Sequence, residues 1–125
     1  MNPDDLKYTE EHEWIKIEGN EGIVGVTDYA QESLGDIVFV ELPLPGDEFD
    51  AEEGFGVIES VKAVSDLYMP VSGKVIEVND NVLESPELVN EDPYGKGWLI
   101  KIEITGNKDK LLNAQDYEKF LARES

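Results

Sequence analysis

Lys62 is the only base between Ile17 and Gly73, a stretch that carries thirteen acidic residues from Glu18 to Asp66. It sits in the middle of GFGVIESVKAVSDLYMPVSGKV, between two runs that read as β-strands, so its amine is expected at a hairpin tip. A solvated charged face mixes signs, whereas one primary amine on a turn in an acidic field fits a target for covalent modification. The chemistry open to it is acylation, in which an activated acyl group forms an amide and the charged stem becomes the root of a longer neutral arm. An exposed lysine is protonated at neutral pH, so a separate ligase must do the activating and must recognise the turn. The tip reads Glu59, Ser60, Val61, Lys62, Ala63, with neighbours that leave the amine unobstructed. Asp66 stands close behind, and Gly73 marks the next turn eleven residues on. The bland alternative is an ordinary surface lysine, and the flanking pattern has to decide.

Conventional catalysis finds little support elsewhere in the chain. His12 is the one histidine, and no nucleophile motif such as G-x-S-x-G accompanies it; it reads as a strand-edge or surface residue. There are no cysteines, which excludes disulfides and thiolate metal sites and means that any redox group must be added. Gly54 and Gly56 lack the third glycine and following helix of a phosphate loop, and read instead as relief of crowding in a strand. The acidic run DEFDAEE at 47–53 lacks calcium-loop spacing and reads as a solvated turn, so no metal site is expected.

A net charge of -19 repels phosphate backbones and anionic lipid, leaving basic protein surfaces as the expected partners rather than nucleic acid or membrane. The N-terminus has neither a basic nor an apolar leader region. The longest apolar run, Ile37 to Val40, is far short of the roughly 20 residues that span a bilayer. These features predict a cytoplasmic monomer folded as one domain over residues 1–125.

Strands are predicted around Trp14–Ile17, Ile23–Val26, Ile37–Val40, Phe55–Ile58, Val75–Val78 and Trp98–Ile104, with a tight reversal at Gly19 and Asn20. The lysine hairpin is drawn over about 54–75. Thr27 or Asp28 caps a short helix that Gly35 ends, Ser85 followed by Pro86 starts another, and Asn113 with Asp116 opens a C-terminal helix over about 113–123. In that last helix Tyr117, Phe120 and Leu121 form a stripe expected to dock on the sheet. A faint repeat pairs GDIVFVELPLPGD from Gly35 with GKVIEVNDNVLES from Gly73, and GVIE from Gly56 with GWLI from Gly97. The expected fold is therefore mostly β: a flattened barrel or sandwich of two pseudo-symmetric halves, with short helices and a C-terminal helix.

HEW at 12–14, GVTDYAQESLGDIVFVELPLPG, ESVKAVSDLYMPVSGKVIEVN and SPELVNEDPYGKGWL together resemble the H protein family of the glycine cleavage system, within the lipoyl carriers. The resemblance covers essentially the whole chain, and its last block is absent from generic lipoyl domains. It implies a lipoyl/biotinyl-carrier-like fold and a non-catalytic carrier with lipoate attached to Lys62 as N6-lipoyllysine. The implied partners are a pyridoxal-phosphate glycine dehydrogenase, a tetrahydrofolate-dependent aminomethyltransferase, a dihydrolipoamide dehydrogenase, and a lipoate ligase or lipoyl transferase. The arm would shuttle an aminomethyl group among them, its effective concentration raised by the tether. Glu13 and Asp66 are the expected carboxylates of a cleft that shelters the loaded, cationic arm. A carrier or lipoate relay for 2-oxoacid dehydrogenases is the alternative within the same chemistry, but the Ala/Pro-rich linkers usual there are missing. An unmodified acidic interaction module is the alternative outside it.

Overall fold

A computed structural model describes residues 2–124. In chain order the elements are β1 (Lys7–Tyr8), β2 (Glu13–Glu18), β3 (Glu21–Val26), α1 (Asp28–Leu34), β4 (Ile37–Glu41), β5 (Glu48–Phe49) and β6 (Gly54–Ser60). They continue as β7 (Val64–Tyr68), β8 (Gly73–Val78), α2 (Asp80–Glu84), α3 (Leu88–Glu91), β9 (Ile100–Ile104) and α4 (Ala114–Glu124). Two sheets form a sandwich: one of six strands in the order β1-β2-β3-β9-β8-β5, and one of three in the order β4-β6-β7, with every pairing antiparallel.

Inward residues of both sheets meet in one core, with Ile15, Val24, Val75, Ile100 and Ile102 from the larger sheet against Val40, Ile58 and Leu67 from the smaller. Each such aliphatic side chain contributes roughly 1.5–3 kcal/mol by leaving water. A second, aromatic cluster docks α4: Tyr117 stacks on Tyr8 at 4.8 Å between ring centres, beside Trp14, Phe120 and Leu121. The apolar stripe read from the C-terminal sequence is the face that packs.

Local signals set several boundaries. Gly19 takes the positive φ of 64° that the β2–β3 reversal needs, and Thr27 rather than Asp28 caps α1, its Oγ1 accepting from the Ala30 N–H. Gly35 ends that helix at φ 82°. Asn113 Oδ1 accepts from the Asp116 N–H and so caps α4.

Other boundaries move. Ser85 is the C-cap of α2, an element the alternation of apolar residues did not announce, and α3 begins only at Leu88 after the turn that Ser85 closes by accepting the Leu88 N–H. Strands β1 and β5 have two residues each, too few for a period, and β7 reads VSDLY, in which only Leu67 is buried. The paired hairpin ends at Tyr68, earlier than residue 75, because the chain then crosses to β8 in the other sheet. Trp98 and Leu99 lead into β9 rather than belonging to it.

The repeat has a structural counterpart. β4 pairs with β6 and β8 with β9, with Val40 opposite Ile58 and Val78 opposite Ile100. Both pairs carry a register shift at the matching place, between Ile37 and Phe39 and between Val75 and Glu77. The ladder matches Ile58 to Ile100, whereas aligning Gly56 on Gly97 matched it to Leu99, so the second half holds one residue more before its strand.

Candidate functional site

Strands β6 and β7 converge on a tight reversal at Ser60–Ala63. The Ser60 N–H donates to the Ala63 carbonyl at 2.8 Å. Ser60 Oγ accepts from the backbone N–H groups of Lys62 (3.2 Å) and Ala63 (3.0 Å), so one short hydroxyl organises the turn. Val61, Lys62 and Ala63 are all exposed. Among the described residues no hydrogen bond or ion pair engages the Lys62 amine, and its stem lies over the end of α1: a Cβ placed on Gly35 would sit 3.4 Å from Lys62 Cε. The α1–β4 loop also holds the turn directly, because the Val61 N–H donates to the Asp36 carbonyl at 3.0 Å.

Ladder registers place Phe39, Glu59 and Val64 in one row and Glu41, Val57 and Asp66 in the next, on the outer face of the smaller sheet. Phe39 is 48% and Val64 67% exposed, so this face mixes apolar area with carboxylates beside the lysine. Gly56 in β6 is forced by contact: a Cβ there would meet the Glu41 carbonyl oxygen at 2.3 Å. Gly54 is not, since its nearest neighbour would be 3.8 Å away. Of the residues read as the tip, Glu59, Ser60, Val61 and Ala63 gather around Lys62, with Asp66 further along β7. Gly73 does not join them; it is buried at the start of β8, opposite Ile104 and Phe49.

Glu13 is only 2% exposed. Thr9 Oγ1 donates to its Oε1 at 3.0 Å and the Tyr68 N–H to its Oε2 at 3.2 Å. Burial pushes its carboxyl up to about 8, with these two hydrogen bonds opposing the shift. It lines a cleft of about 510 Å³ with Thr9, Tyr68, Met69 and Leu111. Asp66 lines a neighbouring cleft of about 610 Å³ with Glu41, Phe49 and Val57. Tyr68 lines both, and the Asp66 carboxylate beside its phenol raises the phenol's pKa. The two carboxylates thus flank one tyrosine from adjacent clefts rather than sharing a cavity.

His12 is not the plain surface residue its sequence context implied. It adopts φ 70° and lies half-buried against Tyr29, its Nδ1 2.8 Å from the Tyr117 hydroxyl, which is itself 2.8 Å from Thr27 Oγ1. Its Nε2 lies 3.4 Å from Glu124. The α1 cap and α4 are therefore joined through one hydroxyl. No local signal announces this, because the partners lie 105 residues apart.

A two-sheet β sandwich that lifts one unpartnered lysine on a tight hairpin defines the carrier class of protein, whose chemistry takes place on a group held out to other active sites. The family profile described as glycine cleavage H-protein matches residues 6–124. The chain is 67% identical to the glycine cleavage system H protein of Carboxydothermus hydrogenoformans, over 98% of this chain and 95% of that one. It is 56% identical to that of Halothermothrix orenii, over 95% and 94%. Its fold is similar to the crystal structure of a glycine cleavage system H protein from Mycobacterium marinum, with TM-score 0.91, 42% identity, and 97% and 99% of the two chains covered. The chain belongs to the glycine cleavage H-protein family, the lipoyl carrier of the glycine cleavage system.

Proposed function

We propose that Lys62 is the attachment point of lipoate, held in amide linkage, and that the protein is a carrier without catalytic activity of its own. The observation that carries this reading is the isolated, exposed Lys62 amine on a turn organised by Ser60. The residues present fit the group: Val61 and Ala63 leave the amine clear, and Gly35 leaves room beside the stem. When bound, lipoate supplies a dithiolane whose sulfurs take up, carry and release the aminomethyl group of decarboxylated glycine.

The chain's own work is then presentation and shelter. Its turn holds the Lys62 nitrogen clear of the sandwich, where ligase and partner active sites reach it. The outer face of β4, β6 and β7 offers apolar area rimmed by Glu41, Glu59 and Asp66 to basic rims on those partners. The partners are the pyridoxal-phosphate glycine dehydrogenase, the tetrahydrofolate-dependent aminomethyltransferase, dihydrolipoamide dehydrogenase, and a lipoate ligase or transferase. Glu13 and Asp66, on either side of Tyr68, offer carboxylates to a cationic amine, and the apolar cleft walls exclude water. Glu13→Gln combined with Asp66→Asn should shorten the lifetime of the loaded protein; an unchanged lifetime removes that role.

The first test is intact mass after co-expression with a lipoate ligase and lipoate, followed by peptide mapping. One lipoyl increment confined to Lys62 and abolished by Lys62→Ala is expected. No increment on the folded protein would overturn the proposal.

A further inference from the structure

We infer that Asn90 is a positioning residue for the modification of Lys62; this rests on the reading of Lys62 as the attachment site. The described residues give the Ser60–Ala63 turn one backbone hydrogen bond from outside its hairpin, from the Val61 N–H to the Asp36 carbonyl. Asp36 lies between Gly35 and Ile37, and Asn90 of α3 grips both neighbours. Its Nδ2 donates to the Gly35 carbonyl at 2.9 Å, and its Oδ1 accepts from the Ile37 N–H at 2.9 Å. A further Nδ2 bond, to Gln31 Oε1 at 2.9 Å, ties the same side chain to the last turns of α1.

One amide thus fixes the peptide units on both sides of the carbonyl that anchors the tip, and fixes the glycine against which the Lys62 stem rests. Gly35 sits at φ 82° and ψ -156°, a region that side chains other than hydrogen rarely occupy, so this loop needs external support to keep its shape. The corresponding N–H in the other half, Val75, is taken by the Asp47 backbone carbonyl instead. A side chain is used only in the half that carries the lysine. Asn90 belongs to the SPELVNEDPYGKGWL block, whose function is then to set the geometry in which a ligase meets the amine.

The experiment compares lipoyl transfer by a lipoate ligase to the apo forms of wild type, Asn90→Ala and Asn90→Asp, with melting temperature and hydrogen exchange at the Val61 amide. Asn90→Asp keeps the acceptor for Ile37 and loses both donors. In both variants kcat/KM should fall about tenfold, the size of one ordinary hydrogen bond, mainly through KM. Val61 exchange should accelerate while the fold stays intact. Adding Gly35→Ala to Asn90→Ala should cost less than the two effects multiplied, because both act on one loop. Unchanged kinetics in the variants, with wild type modified at Lys62, would overturn the positioning role and leave the attachment site standing. So would a loss that merely follows the unfolded fraction. Wild type that takes no lipoyl group would overturn the attachment site and this inference together.

Discussion

The β4–β6 and β8–β9 pairs are built alike and used differently. Each is antiparallel, each shifts register at the matching point, and each sets a valine opposite an isoleucine at the core. They differ in what lies beside them. β9 is flanked by β3 and β8 inside the six-stranded sheet, so it is held on both sides. β6 reverses at Ser60–Ala63 into β7, and this sheet stops at three strands, leaving its turn in solvent. A repeated strand pattern therefore specifies the pair, while the connection that follows decides whether the pair is core or presents a site.

The comparison is broken most completely by its lysines. Lys62 should take the whole lipoyl increment and Lys101 in β9, 3.4 Å from Glu21, none; peptide mapping that finds both modified would erase the distinction. Next in size is Gly56→Ala, which drives a Cβ into the Glu41 backbone and should cost about 3 kcal/mol or more in chemical denaturation. Gly54→Ala, two residues earlier in the same strand, meets only ordinary contacts and should cost no more than about 0.5 kcal/mol.

Glu13 sharpens the comparison from the larger sheet. Its carboxyl is raised to about 8, so between its ordinary value and pH 8 the native state holds a proton that the unfolded chain has released. The stability this contributes is complete below the ordinary carboxylate pKa and is lost as pH rises towards 8, with a slope approaching about 1.4 kcal/mol per pH unit. Glu13→Gln, which mimics the protonated group, should flatten that slope; an unchanged profile would show that Glu13 is charged when folded. The smallest effect is Thr27→Ala, which removes the α1 cap and the Tyr117 contact and should cost about 1–2 kcal/mol.

Much of this was legible in the chain because it depends on near neighbours. Gly19, Thr27, Gly35 and Asn113 act through positive φ or through bonds to residues a few positions away, and alternation revealed the longer strands. The isolation of Lys62 among acids, on a segment bounded by turn residues, pointed to a presented amine from composition and spacing alone. Tertiary structure decided the rest. Glu13 looks like any strand carboxylate until Tyr68, 55 residues on, covers it. Nothing local to Asn90 reveals a clamp on a loop 53 to 59 residues before it. Gly73 falls near Lys62 in sequence but in the other sheet in space. Backbone preference and capping are settled within one turn of chain, whereas burial, its pKa consequences and long-range hydrogen bonds exist only once both sheets have packed.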